Sequence, residues 1–255
     1  MDENSKQVVF MGGKQVGYTC LKYLLENTHS LSIDVVGVFE SITKTSSDEF
    51  SIGALCQEYE IPIFNNCDDL LTFNNLDFII SVQYGEILKK RHIDQAKEMA
   101  INAHMAPLPE YRGCNQFSFA IVDGAKEFGT SIHRLETSID GGDLIAERRF
   151  KIPKDCFVQQ LHKITVNETV ALFKEEIGDI IKGNVTLIPQ SELAKKRNSG
   201  FHLRNEIDHL KRIDNQWAAE KKKRYFRATY FPPFSPPVEV HSGKALDMDW
   251  YNSIS

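Results

Sequence analysis

Cysteine is sparse and scattered in this chain. Five residues (Cys20, Cys56, Cys67, Cys114 and Cys156) form no CxxC pair and are odd in number. That excludes a disulfide framework and a thiolate metal site, and it suits reduced thiols in the cytoplasm. Long apolar runs are missing too: none reaches the roughly 18–20 residues of a membrane span. The opening MDENSKQVVF has neither the basic segment nor the apolar core of a secretory leader, so a cytoplasmic location is expected. Basic residues are not in excess, with 30 Lys and Arg against 35 Asp and Glu, a net charge of −5. This balance argues against a general nucleic-acid surface. There is no internal repeat and no low-complexity tract. What remains is 255 residues, 42% hydrophobic and 25% charged, the make-up of a soluble globular protein with room for one large domain and a smaller appendage.

The apolar pattern alternates between two periods. QVVFMGG (7–13), IDVVGVFE (33–40), IPIF (61–64) and LDFIISVQ (76–83) read as strands. VGYTCLKYLLEN (16–27), SIGALCQEYE (51–60) and a Lys-rich stretch at about 89–98 read as helices. Alternating strands and helices predict a Rossmann-like, mainly parallel sheet with right-handed crossovers. A helix follows at about 115–123. FGTSIHRLE and GDLIAERRFKI then read as strands around the turn TSIDGG, and a long helix spans 157–182 before Gly183-Asn184 stops it. The character changes near 185–200, giving a domain over 1–190 and an extension over 191–255. The extension holds an amphipathic segment (Leu203, Ile207, Leu210, Ile213), the basic run KKKR (221–224) and an aromatic and proline cluster at 225–237 that suits a semi-extended, polyproline-like path.

Three stretches carry chemistry. In INAHMAPLPEYRGCN (101–115), Asn102 and His104 share one face of a strand that prolines cut short. The carboxyl end of such a strand is where open α/β sheets bind ligands. In MGGKQVG (11–17), a glycine turn between strand and helix is a ready anion site to which Lys14 adds charge. Its GGxxxG spacing departs from the dinucleotide fingerprint, although Glu40 stands where a ribose-binding acid would. The third stretch is SIDGGD (138–143), a Gly-rich turn. His133 and Cys114 lie near these stretches and read as structural.

Taken together, residues 101–143 resemble the folate-dependent formyltransferases, which include glycinamide ribonucleotide formyltransferase, methionyl-tRNA formyltransferase and the N-formyltransferases of nucleotide-linked amino sugars. The family's Asn-x-His strand end matches Asn102 and His104, its Pro-Leu-Pro-x-Tyr-Arg-Gly loop matches PLPEYRG (107–113), and its catalytic aspartate matches Asp140. The resemblance covers about residues 7–185. It implies amine attack on the formyl carbon of 10-formyltetrahydrofolate, with no metal. Asn102 is then an oxyanion donor, His104 a proton acceptor or donor, and Asp140 the group that orients and stabilises His104. By the same resemblance the folate lies along Gln83, Tyr84, Gly85, Ile87 and Leu88 and along Ile139, Gly141 and Asp143. The acceptor is expected at Gly12, Gly13 and Lys14, at Tyr111, Arg112, Gly113, Asn115 and Gln116, and at Tyr230 in the extension.

About 70 residues after position 185 and a negative charge suit a tRNA acceptor poorly. PLPEYRGCNQFSFAI and FRATYFPPFSPP look most like the bacterial sugar N-formyltransferases, whose C-terminal segment often supplies a β-hairpin to a dimer. The resemblance therefore implies a homodimer that binds no nucleic acid and no membrane. Its expected acceptor is a dTDP-linked 4-amino-4,6-dideoxyglucose, and its product enters surface polysaccharide such as O-antigen. The 3-amino isomer, a UDP- or GDP-sugar and another small amine are the competing acceptors, and a non-catalytic nucleotide-binding module on the same scaffold is the competing function.

Overall fold

A computed structural model describes residues 5–41 and 48–254. The first four residues, on which part of the leader argument rests, lie outside the described residues. The N-terminal half runs β1 (Lys6–Gly12), α1 (Lys14–Glu26), β2 (Ile33–Glu40), α2 (Ile52–Glu58), β3 (Ile63–Phe64), β4 (Phe78–Val82) and β5 (Met99–His104). It continues with α3 (Gln116–Val122), β6 (Glu127–Arg134), β7 (Leu144–Lys151) and α4 (Val158–Ile181), and the last long helix is α5 (Ala219–Thr229). Seven strands form one sheet in the order β3-β2-β1-β4-β5-β6-β7. The pairings from β3 through β5 are parallel, whereas β5–β6 and β6–β7 are antiparallel. The expected mainly parallel α/β sheet is what the chain adopts.

Alternation along β1 builds both faces of the core. Val8 and Phe10 join the layer beneath α1 and α4, with Leu21, Leu24, Phe173 and Ile177. Val9 and Met11 face the opposite layer, with Phe39, Leu70 and Ile79. All of these are 0% exposed, so the central strand is buried on both sides, as its unbroken apolar run requires. The parallel strands leave Gly12, Val82 and His104 at one edge of the sheet, where their connections diverge.

Two regions depart from the sequence reading. The helix expected at about 89–98 is one turn, Lys90–Ile93. The N–H groups of Lys97 and Glu98 bond instead to the carbonyls of Leu76 and Asp77, at 2.9 and 3.0 Å, which lays the chain along β4 as it enters β5. The extension holds more helix than strand, chiefly Ala219–Thr229 and Met248–Ser253. The first part of the stretch read as semi-extended belongs to α5, which buries Phe226 and Ala228 and carries Glu220 in its first turn and Arg227 in its last, both favourable to the helix dipole. The expected β-hairpin shrinks to a single antiparallel bridge between Val238 and Ala245, and Arg212–Ile213 pairs with Val238–Glu239 in parallel. The amphipathic segment is a short 3-10 turn (Arg204–Glu206), one helical turn (Ile207–Leu210) and the two-residue strand that contains Ile213. α5 packs on α3, and its Ala228 shares a core cluster with Ala106, Phe128 and Leu161. No described helix is long and apolar enough to cross a membrane.

Candidate active site

β5 delivers Asn102 and His104 to the carboxyl edge of the sheet. Ile101 and Ala103, 1% and 3% exposed, point into the core on the other side. The chain after His104 is fastened to β6: Thr130 Oγ1 donates to the His104 carbonyl at 2.9 Å and Ser131 Oγ to the Ala106 carbonyl at 2.9 Å. The turn between β6 and β7 carries Asp140 into the same place. Asp140 adopts a positive φ of 49°, a left-handed conformation uncommon for a residue with a side chain. A Cβ on Gly142 would lie 2.0 Å from the Arg134 carbonyl oxygen, so this turn closes only over glycine.

Asp140 faces His104 directly and is linked to Asn102 through His133. Asp140 Oδ2 accepts the Gly113 N–H at 2.9 Å, and Oδ1 lies 3.6 Å from His104 Nδ1 and 3.6 Å from His133 Nε2. His104 Nε2 is 2.9 Å from the Tyr111 carbonyl, which can only accept, so that nitrogen carries the hydrogen. His104 Nδ1 is left facing the carboxylate, where an added proton is stabilised. The Asp140 side chain is only 13% exposed. Burial opposes its charge, but His104, then His133 and the Gly113 amide, outweigh that effect and hold the carboxyl well below the usual carboxylate range.

His133 belongs to this site, against its reading as a purely structural residue. Its Nδ1 donates to the Arg134 carbonyl at 2.7 Å, and its Nε2 lies 3.2 Å from Asn102 Nδ2. With Nδ1 protonated, Nε2 accepts from the Asn102 amide, which keeps a second hydrogen for another acceptor. His133 sits opposite Asn102 in the antiparallel register of β5 and β6. The available signal was Ser131-x-His133, the same polar-x-polar spacing as Asn102-x-His104.

The cluster lies in a cavity of about 940 Å³, within the range of ligand sites. Of the expected residues, Asn102, His104, Asp140, Gln83, Tyr84, Gly85, Ile87, Leu88, Ile139, Lys14, Gly113, Asn115 and Gln116 line it. Gly12, Gly13, Tyr111, Arg112, Gly141, Asp143 and Tyr230 are not among its lining residues. Gly13 packs against the chain at Ser41, whose carbonyl oxygen would be 2.5 Å from any Cβ there. Tyr111 contributes its carbonyl to His104 while its ring packs on Phe128. Arg112 donates to the Gly200 carbonyl and to Ser199 Oγ. Tyr230 stacks on Phe226 at 4.8 Å, and the neighbouring Phe231 and Phe234 line the cavity in its place. Glu40 also stands outside the lining.

The loop Gln83–Leu88 and residues 135–140 line the cavity, as do Lys14, His162, Arg204, Lys211, Phe231 and Phe234. Lys14 Nζ donates to Gln83 Oε1 at 3.0 Å. Enclosure by the cavity and then the like charge of Arg204 lower its pKa. Asn115 Nδ2 donates to the carbonyls of Leu203 and Arg204, at 2.9 and 3.0 Å, and so fixes that part of the extension. His162, edge-on to Phe117 and Phe231, is pushed down to about 4 by burial and then by Lys14. Among the described residues, no group of three or more His, Cys, Asp or Glu side chains is placed to hold a metal ion.

Comparison with known proteins agrees with this geometry. Residues 62–176, which include Asn102, His104, His133 and Asp140, match the formyl transferase family model. Over that segment the chain is similar to the formyl transferases. It is 26% identical to methionyl-tRNA formyltransferase from Alkaliphilus oremlandii over 260 residues, covering 97% of this chain and 80% of that protein. It is 28% identical to GDP-perosamine N-formyltransferase from Brucella melitensis over 181 residues, 70% of this chain and 67% of that protein. In fold it is similar to the Helicobacter canadensis N-formyltransferase solved with folinic acid and dTDP-3-aminofucose. The TM-score is 0.75 at 20% identity, covering 91% of this chain and 83% of that chain.

Proposed function

We propose that this protein moves a formyl group from 10-formyltetrahydrofolate to the amine of a nucleotide-linked amino sugar. The observation that carries this reading is one cavity lined by the Asn102, His104 and Asp140 cluster together with two chemically unlike sets of residues. The first set, Gln83–Leu88 and Ile139, suits a flat heteroaromatic ring: it offers loop backbone together with Ile87 and Ile139, 68% and 42% exposed. The second set suits a nucleoside diphosphate. Lys14, Arg204 and Lys211 bring positive charge, and the Phe231 and Phe234 rings offer faces for a base. Lys14 stands at the start of α1, whose first turn holds no acidic residue.

The folate supplies the formyl carbon at its oxidation level. Asn102 offers the amide hydrogen not given to His133 to the formyl oxygen as negative charge gathers there. His104 receives the amine proton at Nδ1 as the new C–N bond forms, and Asp140, fixed by the Gly113 amide, stabilises the resulting imidazolium. The proton passes to N10 of the folate as the formyl C–N10 bond breaks and tetrahydrofolate leaves. The tRNA reading has support in the relatives that act on methionyl-tRNA. The net charge of −5 and the extension that walls the cavity favour the smaller acceptor. Within this reading the acceptor is dTDP-4-amino-4,6-dideoxyglucose, the product feeds surface polysaccharide, and a cytoplasmic homodimer is the working form. One experiment separates the possibilities: purified protein, 10-formyltetrahydrofolate, and a panel of dTDP-, UDP- and GDP-linked 3- and 4-amino sugars beside methionyl-tRNA, read by mass. A formyl increment on a nucleotide sugar is expected. Formylation of the tRNA alone, or of nothing in the panel, rejects the proposal.

A further inference from the structure

Gln190 lies beyond the family-matched segment, yet it reaches the turn that carries Asp140. Its Nε2 donates to the Asp140 carbonyl at 2.8 Å and to the Gly142 carbonyl at 2.7 Å. The reverse amide orientation would set an oxygen against two carbonyls, so the geometry fixes the side chain. Gln190 is 7% exposed, and its Oε1 is buried with no partner. An apolar side chain would fill the space without that orphaned acceptor, which makes the two donated hydrogens the property in use.

The turn's own bond at this point is that of the Gly141 N–H to the Ser138 carbonyl, at 3.2 Å. Asp140 is the left-handed residue of the turn, and its neighbours Gly141 and Gly142 leave the backbone its widest conformational freedom. The segment that brings Gln190 there is anchored by a two-way bridge between Leu144 and Ile188, with both N–H···O distances 2.9 Å. We propose that Gln190 is a positioning residue: it clamps the carbonyls on either side of Gly141, which keeps the Asp140 carboxylate between His104, His133 and the Gly113 amide. The inference rests on the reading that Asp140 serves formyl transfer.

The test uses the full chain. Gln190→Met keeps length and bulk and removes both donors. It should lower kcat about 10²-fold, the scale of a misplaced catalytic group, and change the KM for folate and acceptor by no more than about twofold. In an Asp140→Asn background, read by single turnover, Gln190→Met should cost nothing further. A Gln190→Met enzyme with wild-type kcat, or an equal loss in both backgrounds, overturns the inference. Should Gln190→Met fail to fold, Gln190→Glu has the same shape and turns an ionised oxygen on the two carbonyls; it must lose kcat likewise, and full activity sinks the proposal. Asp140→Asn alone at wild-type kcat would reject the catalytic reading itself, an outcome distinct from failure at Gln190.

Discussion

At the scale of single residues, Asp140 faces His104 directly and reaches Asn102 through His133, and substitutions in the cluster should reflect that. Asn102→Ala removes the hydrogen reserved for the formyl oxygen and should cost about 10²- to 10³-fold in kcat, about 2.7–4 kcal/mol. His104→Ala should cost at least as much, and Asp140→Asn should lower turnover while leaving substrate KM nearly unchanged. The losses should not add in the triple variant, because the groups work as a unit. The measurement is single-turnover kinetics on folded variants, and a near-wild-type rate in any one removes that residue from the mechanism. His162 gives a different signature. Its pKa is about 4 in the folded protein, below the roughly 6.5 of an unperturbed imidazole. The unfolded chain therefore binds this proton first, and stability is lost as pH falls from about 6.5 towards 4. His162→Phe should flatten that part of the urea-midpoint profile against pH, and a profile as steep as wild type would contradict the assignment.

At the scale of elements, the β6–β7 hairpin does most to assemble the site. It aligns His133 with Asn102 and carries Asp140 across to Gly113. Its turn tolerates little: a methyl group at Gly142 would meet a backbone carbonyl at 2.0 Å, and backbone yields less readily than a side chain. Gly142→Ala should destabilise by about 1–3 kcal/mol, the usual cost of overpacking, and should lower kcat by displacing Asp140. Gly178→Ala is the control, since a Cβ there makes only an ordinary 3.8 Å contact with Leu31 and lies within α4 rather than in the site; it should leave kcat unchanged. Denaturation midpoints and kcat measured side by side decide the matter, and equal activity in both variants would show that the turn has slack.

At the scale of the whole molecule, the cavity belongs to neither half of the chain alone. The Asn102, His104 and Asp140 cluster comes from residues 102–140, while Phe201, Arg204, Lys211, Phe231 and Phe234 of the extension add to the cavity lining. Arg204→Gln and Lys211→Gln should raise the KM for a diphosphate-linked acceptor and spare folate binding. They should also weaken the dependence of that KM on salt, since fewer cations meet the phosphates. Calorimetry with the nucleoside diphosphate, run beside folate titrations, reads this directly, and unchanged affinity in the double variant would move the phosphates elsewhere. A homodimer through residues 191–255 would appear as twice the chain mass in sedimentation, with monomer alone telling against it.

By itself the sequence determined the sheet. Apolar runs such as VVFM and FIIS can be buried on both faces only in central strands, and strand ends bounded by Gly12 and Pro107 located the ligand edge. Asn102 and His104 stood out by type and spacing on one strand face, whereas Asp140, in a turn-forming stretch, was singled out only by the resemblance to the formyltransferases. The tertiary structure decided what depends on register and distant packing. His133 faces Asn102 only through an antiparallel pairing that local pattern does not encode. Gln190 reaches Asp140 across 50 residues of chain. Tyr230, for its part, is taken up by Phe226 while Phe231 and Phe234 line the cavity. The extension followed its helix-forming AEKKKR stretch and buried Phe226 and Ala228, which outweighed the extended path its prolines suggested. Local propensity and alternation fix elements and faces; which side chains meet across them is set by how the faces pack.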